Sequence, residues 1–436
     1  MARDDFAAPK GLTQHVLREM AVDEVHARPF HLVRSPRRFF HFAFQTDAAA
    51  SRAAVEALSL WCGAHDLPQP LREARHHRIV RGDMALRFES HAEFCTYTFG
   101  FAGESEAWFA PAATDMMDFT AFLPQPGPLV VAIDLHLVKI PSLDTASAGL
   151  EQMFDVTSLA ACKVARGAGI VATDFRCVDD GFVRILIGDL SLSPYRAGAL
   201  AQRLMEIETY RTLALMGLPV AQSLSPAVQH VEDSLTRIAR TMTKIAGLTA
   251  DRSLLDELTG LAAQLEADAA SANFRLGASA AYDEIVGQRL EAIGQEPWED
   301  YSSLSAFLQR RMGPAMRTCQ MLQQRQARLS EKLARATNLL RTRVDVAIEE
   351  QNRDVLHAMN ERTRLQLRLQ QTVEGLSVAA ISYYVVALIG HVCEGLAEIM
   401  PLPLSPPVLT ALSVPLVIMA IALVVRRIRK AHSDGH

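Results

Sequence analysis

Residues 375–393 read GLSVAAISYYVVALIGHVC, and residues 407–425 read PVLTALSVPLVIMAIALVV. Each stretch is 19 residues long and carries no Asp, Glu, Lys or Arg. At helical rise each would cover about 28 Å, close to the hydrocarbon thickness of a bilayer. Neither is amphipathic, so the pair reads as a transmembrane hairpin joined by 394–406 rather than as two buried core helices. Arg362, Arg364 and Arg368 precede the first stretch, and Arg426, Arg427, Arg429 and Lys430 follow the second. The connection carries Glu394 and Glu398 but no Lys or Arg. The positive-inside rule then predicts that both termini are cytoplasmic. The opening Met1-Ala2-Arg3-Asp4-Asp5 leads into no apolar region, so no secretory signal is expected.

Within the first span, Gly375, Ala379, Ser382 and Gly390 fall on one stripe, with Val386 between them. Small residues at such spacing let membrane helices approach closely. The stripe is expected to be an oligomer interface or pore lining, or to pack the two spans of one chain together. Tyr383 and Tyr384 sit near mid-span, where each hydroxyl needs a partner. Pro415 is expected to kink the second span.

Upstream, the chain reads helical from Pro194 to Gln371. Ser193 is a good N-cap, and Pro194 suits the first helical position. That helix is expected to stop at Gly217-Leu218-Pro219. A second helical stretch spans 226–276, with breaks expected at Gly277, at 294–301 (GQEPWEDY) and at Gly313-Pro314. After Pro314 neither Gly nor Pro appears until Gly375. Leu322, Leu333, Val344 and Val355 recur every 11 residues, as do Ala336, Ala347 and Ala358. Such a period fits a parallel oligomeric stalk of slightly right-handed coil. It fits equally an amphipathic helix packed on the chain's own 226–276 helices, and Gln351 and Arg362 interrupt the seam. Either way the helix can run straight into the first span.

Residues 1–193 alternate differently. Phe39–Gln45 and Leu129–Val138 are strand-like, and Met84–Glu89 with Glu93–Phe101 reads as a hairpin. Gly169–Phe175 and Phe182–Ile187 flank Asp179-Asp180-Gly181, a turn signal. Helices fit Ala48–Cys62 and Ala146–Phe154. The expected fold is therefore an α+β N-terminal domain with a largely antiparallel sheet (1–193), a long-helix stalk (194–372) and a C-terminal two-helix transmembrane hairpin (373–430).

Composition narrows the function. The 436 residues carry a net charge of −5, against the basic footprint a nucleic-acid binder needs. Six scattered cysteines form no Cys-x-x-Cys pair, which excludes a zinc ribbon or thioredoxin-like motif. Walker, nucleophile-elbow and His-Glu-x-x-His motifs are absent. Two clusters offer a His beside carboxylates, the raw material for a divalent metal or an acid/base pair. These are Glu24, His26 and Arg28 in 23–30, and Glu89 and His91 in 89–94. If Glu24, His26, Glu89 and His91 converge they form a metal-dependent site; otherwise they are a hydrogen-bonded loop and a polar turn. Arg72, Arg75, Arg78 and Arg81, with His76 and His77, would hold an anionic ligand or a lipid headgroup, or line a solvated surface.

Four segments carry a resemblance to a known family: EVHARPF (24–30), RFESHAEFCTYTF (87–99), RLMEIETYRTLALMGLP (203–219) and LLRTRVDVAIEEQN with LQLRLQQTVEGLSVAAISYYVV (339–352 and 365–386). Together they resemble a bacterial family of membrane-anchored proteins catalogued as a domain of unknown function. The resemblance implies a membrane anchor and brings no established activity, so no catalytic residues. The layout alone is also similar to the CorA-type magnesium channels, which carry Gly-Met-Asn after the first span. This chain has Gly390-His391-Val392 there, without that signature. The expectation is thus a non-enzymatic homo-oligomer held in the bilayer, with a small-molecule or protein ligand for its cytosolic domain. A CorA-like divalent-cation channel, with Glu394 and Glu398 concentrating cations, is the alternative; a metal-dependent enzyme is the third. Cofactors are unspecified.

Overall fold

The computed structural model describes residues 12–13, 15–18, 22, 30–72, 74–102, 108–109, 124–245, 247–397 and 405–433. The chain divides into two compact units, Met1–Arg240 with Glu257–Ala336, and Thr241–Asp256 with Thr337–His436.

The first unit is built on one eight-stranded sheet. Its elements are β1 (Arg37–Gln45), α1 (Ala48–Ala64), β2 (His76–Arg81), β3 (Met84–Ser90), β4 (Phe94–Ala102), β5 (Leu129–Lys139), α2 (Leu143–Met153), β6 (Ala160–Val164), β7 (Gly169–Thr173) and β8 (Val183–Asp189). The strand order is β2-β3-β4-β1-β5-β8-β7-β6, and only β5–β8 is parallel. The expected mainly antiparallel sheet is therefore present, as a mixed sheet followed by long helices.

Alternation along each strand sorts the side chains into two layers. Phe40, Phe42 and Phe44 of β1, with Phe88 and Tyr97, pack on Val55, Leu58 and Cys62 of α1. Asp47 caps α1 through its carboxylate, accepting from the Ala49 and Ala50 amides at 2.9 and 2.7 Å. On the same side α2 sets Ala146 and Leu150 against Ala161, Ala172 and Leu186. The opposite face carries Ile133, Leu135, Leu137, Ile185 and Ile187. It is covered by α3 (Pro194–Leu215), the end of α5 (Leu248–Ala292) and α6 (Leu304–Arg311). Each fully buried Leu, Ile or Phe in these layers contributes about 1.5–3 kcal/mol.

Ser193 caps α3 and Pro194 occupies its first turn, as expected. The expected stop at Gly217 is instead a junction: α4 (Gly217–Met242) begins there, with Pro219 in a first turn that has no amide bond to lose. A Cβ on Gly217 would lie 2.4 Å from Ser279 Oγ, so this glycine serves the close approach of α4 to α5. The break expected at Gly277 is absent. The residue lies inside α5, a Cβ there would meet nothing within 4 Å, and an open helix position tolerates glycine at about 1 kcal/mol. The breaks at 294–301 and Gly313-Pro314 separate α5, α6 and α7.

Helix α7 (Gly313–Ala397) is unbroken over 85 residues, about 128 Å at helical rise. Leu322, Leu329 and Leu333 are buried in the first unit. In the second unit Leu340 and Val344 are buried, while Arg343 donates to the Met242 carbonyl at 2.8 Å and faces Asp251 at 3.6 Å. From 349 to 373 every residue is exposed. Among the described residues two helices are long and apolar enough to cross a membrane: the C-terminal part of α7 and α8 (Pro406–Ser433). Only 6% and 0% of their apolar windows are buried, so neither is a core helix within this chain. Gly390 faces α8, where its Cβ would meet Thr410 Cγ2 at 3.4 Å, and Ser382 is buried. Gly375 and Ala379 are exposed. Pro415 lies inside an unbroken α8, and Glu398 lies outside the described residues.

Candidate functional site: a groove between α3 and the sheet

Strand pairing places Arg78 on β2, Arg87 on β3, Thr98 on β4 and His41 on β1 directly opposite one another. Cross-strand neighbours share a face, and here it is the face covered by α3. Toward β5 the same row continues as Ile133 and the face becomes apolar. The polar half of the face is thus left beneath the edge of α3, where Gln202, Met205 and Thr209 meet it.

Two adjoining cavities follow, of ≈ 90 and ≈ 30 Å³. The larger has a floor of Ala85 and Gly100, paired across β3 and β4, and a roof of Gly198 and Ala201. At Gly100 the missing side chain makes room for the Phe39 ring. Its wall is the strap His31–Val33, tied to α3 by the Val33 amide donating to the Pro194 carbonyl at 2.9 Å. A Cβ on Gly198 would lie 1.8 Å from the His31 carbonyl oxygen, so only glycine lets the strap pass there. Arg37, Arg78 and Arg87 ring this cavity.

The smaller cavity holds the side chains that fix the groove. His41 is buried and links the layers: its Nδ1 is 2.8 Å from Thr98 Oγ1 and its Nε2 3.1 Å from Thr209 Oγ1. Burial, with Arg87 and then His91 adding repulsion, pushes its pKa down to about 3. Its imidazole is neutral at pH 7. Arg87 donates to Glu89 at 2.6 Å and to Gln202 at 2.7 Å, and Gln202 donates to Glu206 at 2.8 Å. Thr96 Oγ1 is buried and has no hydrogen-bond partner among the described residues. His31 is also held below its usual pKa, by burial first and then by Arg78 and Arg87. Arg37 is lowered by burial and then by Arg78, against the pull of Asp83. Arg78 and Arg87 thus recur as the charges that disfavour added positive charge in the groove.

Of the residues expected from sequence, Glu89 and His91 both line the smaller cavity. The His91 ring stacks on Phe94, with centroids 4.1 Å apart. Glu24, His26 and Arg28 lie outside the described residues, so their convergence with Glu89 and His91 is not part of this geometry. Among the described residues no group of three His, Cys, Asp or Glu is placed to hold a metal ion. Glu93, from the same turn, ties the sheet to α5: Arg275 donates to it at 3.0 and 2.6 Å, and the Tyr282 hydroxyl at 2.7 Å. His41, Arg37, Thr98 and Gln202 were not legible as a site. The available signal was a lone His and Arg at alternate positions of an aromatic strand, RRFFHFAFQ.

A family model described as "Protein of unknown function (DUF3422)" matches residues 13–432. The chain belongs to this family. The match includes both the groove and the two apolar helices of this DUF3422 member. No curated protein matches the chain.

A second polar cluster lies on the other face of the sheet. Arg38 grips Asp134 with two donors, at 2.8 and 2.6 Å, and His136 Nε2 stands 3.9 Å from Asp134. Burial raises the Asp134 pKa against the pull of Arg38, and lowers that of His136 to about 3. His136 Nδ1 accepts the Phe109 amide at 3.2 Å. These residues sit in β5, whose run of buried positions hides them among apolar neighbours.

Proposed function

We propose that this DUF3422 member is a homo-oligomer anchored in the bacterial cytoplasmic membrane, with a cytosolic N-terminal domain that binds a small ligand in the α3 groove without catalysis. The anchor is supported by the two exposed apolar helices, whose burial in lipid would remove their large unpaired apolar surface from water. The basic flanks and the acidic connection support the orientation. Together, the two helices carry the reading.

Assembly is supported by the bare part of α7. An isolated helix gains little from its own propensity, and most helix stability comes from tertiary packing. Yet Val355, Met359, Leu365, Leu369 and Val373 are exposed on one stripe there, continuing the line of Leu340 and Val344. A second copy of α7 would cover that stripe, with Arg362 and Gln351 limiting its tightness. Light scattering of the full chain in mild detergent tests this: several chains per particle are expected, and a monomer contradicts it.

Binding without chemistry is supported by His41. A base with its pKa near 3 is protonated too weakly to act at neutral pH, where general bases work near 7. Beside it the groove presents Arg37, Arg78 and Arg87, with the carboxylates of Glu89 and Glu206 already paired, an arrangement suited to holding a ligand. A low-molecular-weight cell extract should slow hydrogen exchange in 31–33 and 198–205 of the full-length protein; no change in either segment contradicts the site.

A further inference from the structure

The arrangement of charge in the groove goes further than the presence of a site. Arg78 and Arg87 stand directly opposite each other across β2 and β3. Like charges in that position destabilise a sheet. Arg87 is partly compensated by Glu89, and Arg37 by the Asp83 carbonyl at 3.3 Å and the nearby Asp83 carboxylate. Arg78 makes no hydrogen bond or ion pair among the described residues and remains exposed at the cavity mouth. Glu206, the other carboxylate lining the smaller cavity, is taken up by Gln202 and Arg289, at 2.8 and 2.5 Å. Positive charge is therefore left over around a cavity of ≈ 90 Å³. Thr98 and Gln202 add hydroxyl and amide groups beside it. The repulsion persists because the fold holds the strands in register, and a negative ligand would remove it.

We propose that the α3 groove binds a compact oxyanion, a phosphate monoester group, with Arg78, Arg87 and Arg37 as charge partners and Thr98 and Gln202 as hydrogen-bonding partners. The proposal rests on the reading of the groove as a ligand site and adds the ligand's chemistry. Guanidinium forks match a tetrahedral oxyanion with paired donors. The volume admits the headgroup, and the open mouth admits the remainder of a larger molecule. A soluble phosphomonoester and a lipid with a phosphomonoester headgroup share that chemistry.

The test uses the full chain in nonionic detergent, with wild type and Arg78→Gln compared by thermal unfolding and calorimetric titration. The probes are inorganic phosphate, glycerol 3-phosphate, and detergent–phosphatidylcholine mixed micelles with and without phosphatidic acid. Wild type is expected to be stabilised by phosphate or glycerol 3-phosphate, less so at high salt. Arg78→Gln is expected to bind at least about tenfold more weakly, the loss of one charge-assisted contact. It should also melt at the same or a higher temperature in phosphate-free buffer, since it removes a repulsion. Arg37→Gln should weaken binding likewise, and Arg78→Lys should restore part of it. Binding confined to the mixed micelles that contain phosphatidic acid, and lost in Arg78→Gln, supports the same chemistry with lipid as its source.

If wild type binds none of these probes, or Arg78→Gln and Arg37→Gln bind them as wild type does, the proposal is overturned. Protection of 31–33 and 198–205 by the cell extract, without protection by any phosphate probe, would overturn the oxyanion while leaving the site. Protection by neither would remove both.

Discussion

The buried imidazole of His41 makes the joint between sheet and α3 sensitive to acid. In the unfolded chain a histidine titrates near 6.5, whereas in the fold His41 is held at about 3. The folded state therefore binds fewer protons than the unfolded state between those values. The stability from keeping His41 neutral is complete above pH 6.5 and is lost as pH falls toward 3. At about 1.36 kcal/mol per pKa unit, the loss between pH 7 and pH 5 is about 2 kcal/mol, and the full window costs about 5 kcal/mol. The replacement His41→Gln carries no titrating group at this position. Its constant cost in lost hydrogen bonds cancels when the same variant is compared at two pH values. Opening free energies of the α3 amides, from hydrogen exchange of the full chain in detergent, should fall by about 2 kcal/mol more in wild type than in His41→Gln between pH 7 and pH 5. Equal falls would show that His41 does not bear the neutral, buried role given to it.

Other perturbations follow from the same geometry. Arg275→Ala leaves Glu93 buried with only Tyr282, and should destabilise the first unit by about 3 kcal/mol or more in denaturant unfolding. Gly198→Val drives a side chain into the His31 carbonyl and should release the strap, seen as faster exchange or proteolysis at 31–33 with the sheet still protected. Gly390→Leu pushes against Thr410 and should lower the thermal midpoint in detergent, whereas Gly375→Leu, with open space around it, should not.

The parts of the fold legible in the sequence are those with local causes. β1 and β5 read as apolar runs and β3 with β4 as a hairpin, Ser193 caps α3, and Asp179-Asp180-Gly181 turns a hairpin, with Gly181 at φ 87°. β6 escaped because AACKV has small residues on both faces and reads as no pattern until the sheet buries it. β2 escaped as a distinct strand because Ile79 is its one buried residue. Gly217 and Gly277 read alike as helix breakers, yet one serves helix packing and the other sits in open space. The groove is non-local: His41, Arg78, Arg87, Thr98 and Gln202 come from four strands and a helix, and only register brings them together. Glu89 and His91 were visible because they share one hairpin. The charge run containing Arg78 was visible too, but not which of its members would remain without a partner.

Alkaline carbonate extraction of cell membranes bearing the full chain asks most directly whether the two C-terminal helices lie in lipid. The chain should stay in the pellet at high pH and be released only by detergent. Recovery in the carbonate supernatant would leave α8 and the end of α7 as helices without a bilayer, and the membrane-anchored account would be wrong.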